Sequence, residues 1–215
     1  DYNTAVGHNA LNDFTGSNAT AIGSGAADVA VGQSGLTAIG KDALGAATSG
    51  NYNTAVGAAS LGTVDGTQNS ALGYGALNAA CSDNNVGVGH GALNVFTGNS
   101  ATAIGSQAAD VAVSQTNLTA VGMGALGAAT SGNNCTAVGK NALGTTVDGA
   151  QNTAVGTGAL AADCGDNNTA VGSGALDVFT GSNATAIGKG AADAATTATE
   201  LTAIGYSALG SCTEG

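Results

Sequence analysis

Asn3-Thr4-Ala5-Val6-Gly7, followed by two variable residues and then Ala10-Leu11, decides how the whole chain reads. Close copies recur at Thr20-Ala21-Ile22-Gly23, Thr37-Ala38-Ile39-Gly40, Thr54-Ala55-Val56-Gly57 and onward to Thr202-Ala203-Ile204-Gly205, thirteen in all. The closing glycines fall at 7, 23, 40, 57, 73, 89, 105, 122, 139, 156, 172, 188 and 205, so every spacing is 16 or 17 residues. Self-similarity at a fixed short period means one small unit stacked many times.

Aligned on those glycines, each position has a narrow tolerance. The residue before Gly is Val, Ile or Leu in all thirteen copies, and the one before that is Ala in twelve, with Gly87 the exception. Three before Gly stands Thr in eleven copies, replaced by Ser70 and Val86 in the others. After Gly, the third residue is Ala in twelve copies (Ser60 in the other), and the fourth is Leu in ten and Ala27, Ala109 or Ala192 in three.

Thr-Ala-Val is period-2, β-branched material, so it predicts a short strand in which Thr4 and Val6 point one way and Ala5 the other. A helix is excluded because glycine recurs inside every unit. The expectation drawn from this alternation is an all-β parallel β-solenoid of about thirteen coils of 16–17 residues. Val/Ile and the later Leu would fill its interior, and the Ala/Gly face would lie flush against a neighbouring chain. Gly, Asn, Asp and Ser supply the turns.

Composition agrees with a thin, extended interior. The 215 residues include 37 Gly, no Pro and no Trp, with 3% aromatics, too few large side chains to fill a wide core. Three Lys or Arg against fourteen Asp or Glu give a net charge of −11, which repels a phosphate backbone and argues against nucleic-acid binding. No run of apolar residues is long enough to predict a transmembrane segment.

A longer period overlies the short one. Residues 1–82 hold five distinct units, residues 83–165 repeat them in order, and residues 166–215 begin a third, incomplete block. Neither end resembles a solenoid cap, so the sequence reads as a window on a longer chain or fibre, one repetitive segment over 1–215. In the second unit, Ala26-Ala27 replaces Ala-Leu, and Val29 and Val31 are expected to refill the missing volume. Phe14 sits in what reads as a polar turn.

Cys81, Cys135, Cys164 and Cys212 are too sparse for a zinc or iron–sulfur site and read as disulfides or buried thiols. Cys81 and Cys164 share a repeat position five coils apart, about 24 Å in a stack, too far for a bond within one chain. Pairing between subunits is left open and would favour an extracellular setting.

The segments Asn18-Ala19-Thr20-Ala21-Ile22-Gly23-Ser24-Gly25-Ala26 and Asn183-Ala184-Thr185-Ala186-Ile187-Gly188-Lys189-Gly190-Ala191 resemble the head repeats of bacterial trimeric autotransporter adhesins, and related repeats of virus and phage fibres. The family pattern runs roughly Asn-Ser-Val-Ala-Ile-Gly-x-x-Ala. The resemblance implies a left-handed parallel β-roll, a homotrimer, and heads that bind host or matrix surfaces. This sequence departs from the pattern in its Thr three before Gly, its Ala-Leu pairs, its longer units and its cysteines.

The expected function is structural: a component of an extracellular fibre or surface filament, on a cell surface or as a virion appendage. Its partners would be further copies of itself along the Ala/Gly face. An adhesin head is the neighbouring alternative. No catalytic, cofactor-binding or metal-ligating residues are assigned, and no enzyme is expected. His8 and His90 occupy one repeat position and read as solvent-facing, and Asp83-Asn84-Asn85 and Asp166-Asn167-Asn168 read as turn chemistry rather than a calcium site. Five Asn-x-Thr sequons, at Asn18, Asn117, Asn134, Asn167 and Asn183, follow from the repeat itself. The threonine file raises a third alternative, an ice-binding β-solenoid. With Val6 expected inward, however, the hydroxyls of the same strand face would also turn inward and bond along the ladder.

Overall fold

A computed structural model describes residues 2–210. Thirteen strands of three residues each, from Thr4–Val6 to Thr202–Ile204, form a single sheet in sequence order, and the described residues contain no helix. Every pairing is parallel and the register never slips: Thr4 lies beside Thr20, Ala5 beside Ala21 and Val6 beside Ile22, and the same matching reaches Thr202, Ala203 and Ile204. The chain is therefore a β-solenoid, each coil contributing one rung.

The glycine that closes each strand explains both its brevity and its recurrence. Gly122 has φ +130°, and a Cβ there would lie 2.6 Å from the carbonyl carbon and oxygen of Gly139 on the next coil. Only a residue without a side chain permits that backbone approach. The glycines thus form a file of coil-to-coil contacts within one chain.

Three residues on, the Ala-Leu pair turns the corner. Leu44 and Leu126 adopt φ of 51° and 52°, a left-handed conformation that costs a non-glycine residue about 1–2 kcal/mol. Both side chains are fully buried, which contributes about 1.5–3 kcal/mol each and offsets that cost. Backbone bonds carry the corner to the next rung, as in Leu44 N–H to Ser60 O at 3.0 Å and Leu126 N–H to Ala142 O at 3.0 Å.

The interior differs from the sequence expectation in which side of the strand it takes. The central alanines, among them Ala21, Ala38, Ala120 and Ala170, are completely buried, while Val and Ile of the same strands are on the outside. The reason is volume. At Gly87, the one copy without the alanine methyl, a Cβ would already meet the Leu77 side chain at 3.2 Å and Ala92 O at 3.3 Å. With leucine filling the coil from the opposite wall, a methyl group is the largest group the strand can send inward. The Ala file is consequently the core of the solenoid and offers no surface to a neighbour.

Two smaller expectations are corrected for the same reason. Val31, Val111 and Val113 are exposed and Val29 is only half-buried, so these valines do not refill the Ala-Ala coils. Buried volume comes instead from Leu36, Leu118, Ala30 and Ala112, and from Phe96 and Phe179, which are fully buried rather than lying in a polar turn. Phe14, at the matching position of the first block, is partly buried against the same core.

In six of the thirteen coils an asparagine ties the corner before the strand to the next coil. Asn53 Oδ1 accepts from Asn69 N–H at 2.9 Å, Asn69 Oδ1 from Asn85 N–H at 2.8 Å, and Asn85 Oδ1 from Ala101 N–H at 3.0 Å. Their amide groups donate to the carbonyls of Gly66, Ser82 and Gly98. Cys135 occupies this column and does part of the same work, its thiol donating to Gly149 O at 3.3 Å.

Candidate functional site

The most unusual surface of the molecule is the outer face of the sheet. Each rung presents a Thr, or in two rungs Ser70 or Val86, beside a Val, Ile or Leu, and stacking makes two parallel files about 60 Å long, one rung every 4.8 Å or so. Away from the two end rungs, the exposed members of the aliphatic file range from 36% for Val138 to 52% for Leu72. That is high for a contiguous row of large apolar side chains, which soluble monomers rarely display.

The threonine file is outward as well, because it shares a strand face with the aliphatic file. The expectation that these hydroxyls turn inward and bond along the ladder is overturned. Among the described residues, none of the strand threonines (Thr4, Thr20, Thr37 and their equivalents) has a side-chain hydrogen bond.

No charged residue stands in either file. Along one border runs the corner residue two before each Thr, which includes all five sequon asparagines; these are exposed and left-handed, with φ from 57° at Asn134 to 61° at Asn167. Along the other border runs the residue after each Gly. This file holds all three lysines, Lys41, Lys140 and Lys189, together with His8, His90, Tyr74, Tyr206 and Met123. His8 and His90 are exposed, and the ring of His90 stacks on Tyr74 with centroids 5.5 Å apart. Gathering every lysine and histidine of the sequence into one file was legible from the alignment on glycines, each of them directly following a repeat glycine.

Apart from Glu200, which stands in the border file two before Thr202, the described acidic residues lie on the remaining walls. Asp83 Oδ1 accepts from Thr67 N–H at 2.8 Å and Asp166 Oδ1 from Ala150 N–H at 2.9 Å, while Asn85 and Asn168 point into the core ladder. Asp83-Asn84-Asn85 therefore does not converge on one point. Among the described residues no three His, Cys, Asp or Glu side chains gather to hold a metal ion, and no helix is long and apolar enough to cross a membrane. A shallow depression of about 310 Å³ between Asp28, Asp42 and Asn78 forms where Gly45 and Gly62 leave the wall thin.

Cys81, Cys135 and Cys164 are free and buried, so none is placed to bridge to another subunit. Burial pushes the Cys81 thiol up to about 12 and moves Cys135 and Cys164 in the same direction. Cys212 lies outside the described residues. A scan against protein-family models, a search of curated proteins and a search of solved structures each found no match to this chain.

Proposed function

We propose that the chain is a stiff structural segment of an extracellular fibre or surface filament, on a cell surface or a virion. One observation carries this: thirteen rungs stack in one unbroken parallel register, so the segment is a rod whose length grows with each repeat. Its 82–83-residue blocks lengthen the rod without altering its section. Adhesion to host or matrix surfaces is the neighbouring reading and would fall to the variable corners, where Tyr52, Tyr74 and Tyr206 are exposed.

The homotrimer that the resemblance implies has to be relocated within this proposal. Its contact was expected on the Ala/Gly side, which the coil interior uses, so a trimer would meet through the outer Thr and Val/Ile files. Small-angle scattering combined with sedimentation tests both parts. A rod about 60 Å long is expected, and a compact particle would overturn the shaft reading. A monomeric mass removes the trimer from it.

A further inference from the structure

We propose that the outer face of the sheet binds the surface of an ice crystal through its paired Thr and Val/Ile files. The face has the three properties such a ligand demands. It is long and regular, because the register never slips over thirteen rungs. It is neutral, because no Asp, Glu, Lys or Arg stands in either file, and ice is a neutral lattice that a charged side chain would hydrate and disrupt. It is rigid before binding: each interior strand is hydrogen-bonded on both sides, and the β-branched residues that fill most of the two files have few rotamers to lose.

The free hydroxyls decide the occupant. Eleven strand threonines and Ser70 project outward, and none has a partner among the described residues. Packing this face dry against an apolar surface would strip those hydroxyls of water and leave any without a partner unsatisfied, a net loss. A lattice of water molecules offers every hydroxyl both a donor and an acceptor. The adjacent methyl groups of Thr, Val and Ile hold the first water layer in an ordered cage, and the single file of hydroxyls joins that layer to the protein at intervals of about 4.8 Å along the rod, with the aliphatic file about 7 Å to its side. The acidic walls stay solvated and keep the rest of the molecule off the crystal.

A second copy of the chain is the competing occupant, and it leaves a different signature. The test uses the purified full chain and single ice crystals in a nanolitre osmometer. The proposal expects faceted crystals and a freezing point depressed below the melting point. It also expects the double substitution Thr119→Lys with Val121→Lys, in the middle of the face, to lose both effects while circular dichroism shows the sheet retained. Val111→Lys, an exposed position outside the two files, is expected to behave as the parent. Round, unshaped crystals with coincident freezing and melting points overturn the proposal. So does a trimer that dissociates on the double substitution without ice shaping by either form, which would assign the face to self-association. If the double variant fails to fold, Thr119→Val with Thr136→Val replaces it. Shaping that survives the loss of those two hydroxyls undiminished would also overturn the role given to them.

Discussion

On the turn walls Thr48 Oγ1 donates to Asp65 Oδ1 at 2.6 Å, Ser131 Oγ donates to Asp148 Oδ1 at 2.6 Å, and Thr180 Oγ1 donates to Thr196 O at 2.8 Å, each reaching one coil along. On the strand face Thr54, Thr136 and Thr185 belong to the same coils and reach nothing. The difference lies in backbone direction. At the corners the chain bends, and a side chain can lean along the solenoid axis toward the next carbonyl or carboxylate. On the sheet the side chains stand roughly perpendicular to it, toward solvent. One residue type thus serves as internal mortar on the walls and as a solvent-facing array on the sheet.

The largest effect is expected where both regions depend on the same stacking. Gly122→Ala forces a methyl against Gly139 backbone and should destabilise by about 4 kcal/mol, at the diagnostic end of single substitutions. Urea unfolding followed by circular dichroism measures it, and a near-neutral result would mean that the glycine file does not set coil spacing. Next comes Asn168→Ala, which removes the acceptor for Ala184 N–H and the donor to the carbonyls of Gly165 and Gly181. Leaving these buried groups unpaired should cost about 3 kcal/mol, and faster hydrogen exchange at Ala184 would locate the damage.

A matched pair separates the two sides of one strand. Ala120→Val inserts methyl groups into a full interior and should cost about 1–3 kcal/mol, whereas the outward Val121→Ala should stay within about 0.5 kcal/mol. Equal losses would erase the distinction between inside and outside. One further effect is confined to alkaline pH. Desolvation raises the Cys81 thiol from 9.0 to about 12. The unfolded chain therefore releases this proton near pH 9, while the folded chain keeps it until about pH 12. Its contribution is complete below about pH 9 and is lost as pH rises from there to about 12. The unfolding midpoint should fall across that window, and less steeply in Cys81→Ala.

Period, parallel stacking and strand positions were legible because glycine and alternation mark them in every copy. The direction of the strand was not, since Thr-Ala-Val alternates equally well with either face inward and hydrophobicity favours sending Val to the core. The signal that resolves it is tolerance of size. The central column admits only Ala and the smaller Gly87, while the column after it admits Val, Ile and Leu72, as a surface does. The left-handed leucines were hidden too, because Leu44 carries no local mark of a conformation that only its burial sustains. The threonine face was misjudged as a consequence of the same inversion, and its free hydroxyls followed once the strand was turned over.

Orientation of the strand is the claim on which the surface, its chemistry and its proposed ligand all rest, and thiol accessibility reads it directly. In a Cys212→Ser background the native Cys81, Cys135 and Cys164 are buried and should react slowly with a maleimide at neutral pH. Val121→Cys is expected to label rapidly in the folded protein, and Ala120→Cys only after denaturant is added. Rapid labelling at Ala120→Cys with protection at Val121→Cys would contradict the account.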